Sequence, residues 1–291
     1  MDGRGPLDIA WDAAIAEAPL RRRLERDGVV VVRDVLDAGD IARLRDIVGR
    51  HLAKGGRRIE LGRVQPDAAA HVPGLERLFA HPNVVALLRA VLAGDRVVFT
   101  RHCDAHRNLL SGWHKDCGPG GSYFTSDCFA AEDCRVYKIG FYLQDHLRDN
   151  GLAVRAGSHR ARSLDEGAPL YIASRAGDAV VFDVRLTHRG QAPDGVELAL
   201  KALNRLMRKS TGEDARLPSA LEAGYWRAAG RPERLSVFFT FGAPNRHTRD
   251  FARANIARQR VQLGGAEVPL PAAVRDCLSA SGIMMADDIP P

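Results

Sequence analysis

Beyond residue 95 the apolar residues of this chain change their spacing, and that change constrains the fold more than any other feature. RVVFTRHC (96–103), RVYKIGFYLQ (135–144), GLAVR (151–155), DAVVFDV (178–184) and RLSVFFTFG (234–242) are short and rich in valine, isoleucine and aromatics. Gly, Asp, Asn and Ser bound them. Branched and aromatic side chains suit a pleated surface, so each segment predicts a strand. Before residue 95 the spacing is mostly helical. Residues 8–26 predict a helix interrupted near Pro19. Ile41, Leu44, Val48 and His51 or Leu52 recur on one helical face, with Asp37 as the cap and Gly55-Gly56 as the stop. Another helix is predicted from Pro82 to Leu92, ended by Gly94. The exception is GVVVVRDVL, where Val29 to Val32 predict a buried strand. Helices followed by a run of strands predict a mainly β, α+β protein with a β-core and helices outside it.

The 291 residues are expected to form one domain, large enough to bury roughly three quarters of the unfolded surface. Its parts would be N-terminal helices (1–95), a strand core of about 96–242 with a polar insertion at 189–233, and a C-terminal helix and tail (243–291). The insertion reads as helical at 198–209 and the C-terminal helix as 247–262. No apolar run approaches the ~18 residues that cross a bilayer, so no membrane partner is expected. The N-terminus has no basic and apolar pattern of a leader. Five cysteines without a C-x-x-C predict reduced thiols and a cytoplasmic location. The net charge of +6 favours an anionic partner. The basic residues are scattered and aromatics are only 6%, so no nucleic-acid partner is expected.

Two H-x-D pairs interrupt this pattern. GWHKDC (112–117) carries His114 and Asp116, and RHCD (101–104) carries His102 and Asp104. On an extended chain, residues two apart point to one face, so either pair could offer an imidazole and a carboxylate to one point. His188, just beyond the strand in DAVVFDVRLTHRG, supplies a second imidazole. Two imidazoles and one carboxylate on one face of a metal make the facial triad of non-haem Fe(II) oxygenases, with the opposite positions open.

Five stretches, in order, resemble the phytanoyl-CoA dioxygenase family of Fe(II)/2-oxoglutarate oxygenases. They are DGVVVVRDVLDAGDIARLR, WHKD, KIGFYLQDHLRDNGLAVRAGSH, GDAVVFDVRLTHRG and RLSVFFTFG, together spanning about residues 25–242. The resemblance implies a double-stranded β-helix, the jelly roll or cupin-like core, with flanking helices. It implies Fe(II), 2-oxoglutarate as cosubstrate and O2, with His114, Asp116 and His188 as the catalytic metal ligands. His102 and Asp104 would line or flank the pocket, His159 would serve a structural turn, and His146 would be a loop residue.

A distal carboxylate needs a guanidinium fork. The family's arginine follows the distal histidine by about ten residues, where this chain reads Glu-Leu-Ala-Leu (197–200). Arg234, opening RLSVFFTFG, is the expected anchor, with Arg205 as the alternative. Lys138 and Tyr142 share a side-chain parity and are expected in the same cosubstrate pocket. Arg101, Lys115 and Arg155 are candidates for an anionic small-molecule substrate. The implied activity is hydroxylation with release of succinate and CO2. Asp116 disfavours halogenation, because family-like halogenases carry a small residue there. The competing readings are a cupin-like dioxygenase or isomerase without 2-oxoglutarate, and a non-catalytic binding domain of the same fold. Segments 117–134 and 189–233 are expected to form mobile walls at the pocket mouth.

Overall fold

The computed structural model describes residues 7–146, 151–190, 193–212, 216–231, 233–265 and 268–289. The chain opens with strand β1 (Asp8–Ile9), helices α1 (Trp11–Ile15) and α2 (Ala18–Asp27), strand β2 (Val29–Val32) and helix α3 (Ala38–Lys54). Strands β3 (Arg57–Ile59) and β4 (Gly62–Gln65) follow, then helices α4 (Ala68–His71), α5 (Glu76–Phe79) and α6 (Pro82–Leu92). The later strands are β5 (Val98–Arg107), β6 (Val136–Tyr142), β7 (Ala153–Arg155), β8 (Pro169–Tyr171), β9 (Ala179–Asp183) and β10 (His188–Arg189). Helices α7 (Gly195–Thr211) and α8 (Arg216–Ala228) precede β11 (Leu235–Gly242), and α9 (Arg246–Gln262), α10 (Ala272–Ala280) and β12 (Met284–Met285) close the chain.

These strands form a jelly-roll core of two sheets. The larger runs β1-β2-β9-β6-β11-β5-β4-β3, with β12 added on β5; the smaller is β10-β7-β8. Strand alternation divides the large sheet into two faces. Cys103 and Ala105 on β5, Ile139 and Phe141 on β6, and Val237, Phe239 and Phe241 on β11 belong to the main core, beneath helices α3 and α6. Their neighbours face the other way: His102, Asp104 and His106; Lys138 and Tyr142; Ser236 and Thr240. A polar face on strands otherwise this apolar is a costly arrangement unless those groups have partners or a ligand.

The helix starts follow local chemistry. Asp37 and Asp40 form a reciprocal capping box at α3, and Pro82 sits in the first turn of α6. The predicted break near Pro19 falls at Glu17, whose φ of 59° separates α1 from α2. The β3–β4 hairpin and α10 were not expected from the apolar pattern. The described part of the insertion holds a helical hairpin, α7 and α8, and its first residue, Arg189, belongs to β10.

Segment 117–134 does not form the pocket wall that its glycines suggested. Cys117, Phe124, Cys128 and Cys134 are buried with Phe251 of α9 and Val184. The buried Arg185 guanidinium donates to the carbonyls of Cys128, Ala131 and Cys134 while pairing with Asp183. Thr125 donates through its backbone N–H and hydroxyl to Asp250. The Thr125 bonds fasten the segment to α9, and the Arg185 bonds fasten it to the end of β9.

Candidate metal centre and its cavity

His114 and His188 are an antiparallel backbone pair: the N–H of each donates to the carbonyl of the other at 2.9 Å. Side chains of such cross-strand partners stand together, and the two imidazole rings are 4.3 Å apart. Asp116, two residues on, projects to the same side. His114 Nε2 lies 3.9 Å from Asp116 Oδ1, and His188 Nε2 lies 3.5 Å from Asp116 Oδ2. One ligand atom from each of the three lies within 4.8 Å of the others, the one such cluster of three or more His, Cys, Asp or Glu among the described residues.

The protonation of both rings follows from their second nitrogens. His114 Nδ1 is 2.8 Å from the Gly112 carbonyl, and His188 Nδ1 is 3.0 Å from the Leu186 carbonyl. A carbonyl only accepts, so each Nδ1 carries the proton and each Nε2 presents a lone pair to the common point. Burial, then the neighbouring His114, pushes His188 down to about 3, so it is neutral at pH 7. Burial opposes ionisation of Asp116, but Lys138, His188 and His114 hold its carboxyl well below the usual range. Lys138 Nζ is 3.0 Å from Asp116 Oδ2. Two imidazoles that present Nε2 and one carboxylate are thus available together, which is the donor chemistry that suits ferrous iron.

The cluster opens on a cavity of about 120 Å³. His114, His188, Lys138, Tyr142, Ser236 and Arg234 line it, with Asn108, Leu109, Ser111, Gly151 and Leu152. Lys138 pairs with Thr240 and Tyr142 with Ser236 across β6 and β11, so Arg234 lies toward the end away from Lys138. Arg234 is buried, and its Nε and Nη2 have no hydrogen-bond partner among the described residues. Burial lowers its pKa to about 10, against the attraction of Glu197 and Glu222, so it stays cationic at neutral pH. Its guanidinium lies 4.1 Å over the ring of Trp226. A cavity with metal donors at one end and an unsatisfied buried cation at the other fits a dicarboxylate that reaches the metal with its near end.

Other candidate residues lie elsewhere. Arg205 is on the exposed side of α7. His102 is buried on β5 against Thr240 (2.5 Å) and Asp104 (3.1 Å), apart from the three-residue cluster. Lys115 turns away from the cavity, donating to the carbonyls of Ser158 and Arg185, both at 2.7 Å. Arg101 is engaged with Asp67 and the Val268 carbonyl, because its φ of 65° directs it off the strand. Arg155 stacks on one side of Trp113 at 4.9 Å, with Arg189 also on that ring at 4.7 Å. His159 packs under Gly28, where a Cβ would come within 2.5 Å of its ring.

Sequence reasoning missed Ser236, His106, His146 and Trp226. Ser236 was within reach, since it shares strand parity with Arg234. His146 was expected in a loop, yet it lines the cavity and its ring lies 4.1 Å from that of Tyr142. Nothing local in the sequence marks Trp226.

Glu222 is buried near Arg234, and its Oε1 has no hydrogen-bond partner among the described residues. Burial raises its pKa to about 7; Arg234 opposes the rise and Glu197 adds to it. A carboxyl with a raised native pKa binds more protons folded than unfolded. Stability therefore falls as pH climbs from the ordinary carboxyl range to about 7, and the cost is complete above that. Glu222→Gln is expected to raise stability by about 1–3 kcal/mol at pH 8 and to change little at pH 4. Thermal unfolding at the two pH values checks this; equal shifts at both would remove the carboxylate charge as the cause.

The sequence model described as phytanoyl-CoA dioxygenase (PhyH) matches residues 24–193, more than half of the chain. Among curated proteins none matches in sequence. Solved structures share the fold. The non-heme alpha-ketoglutarate-dependent epimerase SnoN from nogalamycin biosynthesis is 20% identical at a TM-score of 0.55, covering 79% of this chain and 83% of its own. EctD from S. alaskensis with bound Fe is 16% identical at 0.52, covering 79% and 77%. HygX from Streptomyces hygroscopicus, with nickel and 2-oxoglutarate bound, is 15% identical at 0.52, covering 77% and 86%.

Proposed function

The chain belongs to the phytanoyl-CoA dioxygenase family of Fe(II)- and 2-oxoglutarate-dependent oxygenases, and from that premise we propose that it hydroxylates a small molecule, with His114, Asp116 and His188 as the iron ligands and Arg234 as the cosubstrate anchor. The observation that carries this reading is the cavity itself: three converging donors at one end, and at the other a buried guanidinium with N–H groups left over. When bound, Fe(II), 2-oxoglutarate and O2 supply oxidation of a C–H bond coupled to release of succinate and CO2.

The chain's own residues do the positioning. The carbonyls of Gly112 and Leu186 fix the two imidazole planes, and the backbone pair of His114 and His188 fixes their separation. Lys138 balances the Asp116 charge at one end of the cavity. Arg234 holds the distal carboxylate, with the Tyr142 and Ser236 hydroxyls lining the same end. Tyr142 keeps its proton, because burial raises its pKa above the ordinary phenol value. Phe182 and Phe238 help to exclude water around the donors.

The substrate is read as a small molecule, and the net charge of +6 favours an anionic one. Arg155 stays in this reading as a candidate substrate contact outside the cavity lining, because it stacks on Trp113, the residue that precedes His114. The five free cysteines support a cytoplasmic setting. No helix among the described residues is long and apolar enough to cross a membrane. Fold does not select the outcome of the oxidation, and SnoN is an epimerase on this same fold. Purified protein with Fe(II) and 2-oxoglutarate is expected to release succinate, and to release it faster with a true substrate. No 2-oxoglutarate consumption would favour a cupin-like enzyme or a binding domain. A product with unchanged oxygen count would exclude hydroxylation.

A further inference from the structure

We propose that Trp226, on the α7–α8 hairpin outside the strand core, is a positioning residue for the cosubstrate: its ring holds the Arg234 guanidinium in the plane in which that fork meets a carboxylate. The proposal rests on the reading of Arg234 as the anchor. An arginine side chain has several rotatable bonds, and its donors are useful only when the plane of the fork is fixed. The backbone of Arg234 is pinned at both ends of its peptide unit: its N–H donates to Asn108 Oδ1 at 3.0 Å, and its carbonyl accepts from the Asn108 N–H at 2.9 Å. Beyond the backbone, Nε and Nη2 have no polar partner among the described residues, so hydrogen bonds do not orient these donors. The stack on Trp226, at 4.1 Å, does. A ring covers the guanidinium face and leaves the in-plane N–H groups open to a carboxylate, so stacking orients the fork without competing with the ligand.

Trp226 is itself held by a chain of bonds that begins at a helix start. Its indole N–H donates to Glu197 Oε1 at 2.9 Å. Glu197 is the third residue of α7 and closes a capping box with Asp194, whose other oxygen accepts from the Tyr225 hydroxyl (2.9 Å) and Arg231 Nη1 (2.8 Å). Glu197, Glu222 and Trp226 are buried side chains of the hairpin, and all three bear on Arg234 by charge or by stacking. The insertion that displaced the arginine along the sequence thus also carries the group that orients it.

The test compares two 2-oxoacids on the anaerobic Fe(II) protein, followed by the visible charge-transfer band rather than by turnover. 2-Oxoglutarate has the distal carboxylate and 2-oxobutanoate lacks it. Wild type is expected to prefer 2-oxoglutarate strongly. Trp226→Leu is expected to weaken 2-oxoglutarate binding about ten-fold while leaving 2-oxobutanoate affinity unchanged, and Trp226→Phe to fall between. Should the leucine variant not fold, the phenylalanine variant decides. Full retention of the preference in the folded variants, or an equal loss for both acids, overturns the proposal. A wild type without any preference overturns the reading of Arg234 as anchor, and the proposal with it.

Discussion

Alanine at His114, Asp116 or His188 is expected to abolish iron binding and succinate release together. Each residue supplies one of three converging donors, with one ligand atom from each within 4.8 Å of the others. The two imidazoles are already fixed in the tautomer that presents Nε2, so removal of any member leaves two donors and an open face. Loss of an outer hydrogen bond to a metal ligand costs about 10–100-fold in affinity, and loss of a ligand should exceed that. Iron content after dialysis and anaerobic Fe(II) titration measure the effect. His102→Ala and His159→Ala serve as the contrast: His102 is bonded to Thr240 and Asp104, and His159 packs under Gly28. Both variants are expected to keep iron. If His102→Ala loses iron while His114→Ala keeps it, the wrong H-x-D pair has been chosen.

The second large effect is expected at Arg234. Arg234→Ala should leave the fold and the iron in place and weaken 2-oxoglutarate binding by about 2–5 kcal/mol, or roughly thirty-fold to several thousand-fold. The size follows from burial. A carboxylate brought out of water to this end of the cavity loses its hydration, and a buried carboxylate without a partner is costly. Ser236 and Tyr142 offer hydroxyls but no charge. Arg205 is exposed on α7, so Arg205→Ala is expected to bind 2-oxoglutarate normally. Anaerobic titration of both variants separates the cases. Normal affinity in Arg234→Ala with a loss in Arg205→Ala would move the anchor into the hairpin. Normal affinity in both would leave 2-oxoglutarate without an identified anchor.

The contrast between Arg185 and Arg234 shows how one residue type takes two roles. Both are buried arginines near the strand core. Arg185 is engaged by Asp183 and three carbonyls and fastens segment 117–134. Arg234 keeps Nε and Nη2 without partners and faces a cavity. Only the second arrangement leaves donors for a ligand.

The sequence by itself determined the main core strands, because branched and aromatic runs such as Val29–Val32 and RLSVFFTFG are local signals that tertiary contacts reinforce; the short strands β1, β3, β4, β8 and β12 carry no such run, and β1 lies where the spacing predicted a helix. It determined the helix starts at Asp37 and Pro82, where capping is settled within one turn. It also held His114 and Asp116 two apart, which sends both to one side of any extended segment. Only the tertiary structure decided that His188 is the cross-strand partner of His114, since backbone pairing joins residues far apart in the chain. It decided that 117–134 is packed rather than open, because the Arg185 bonds that fasten it come from a distant strand end. It decided that Lys115 and Arg101 turn away from the cavity while Trp226, unmarked in sequence, faces Arg234. Spacing fixes direction along one strand, but which groups meet across a cavity depends on sheet register and helix packing, and neither is a local property of the chain.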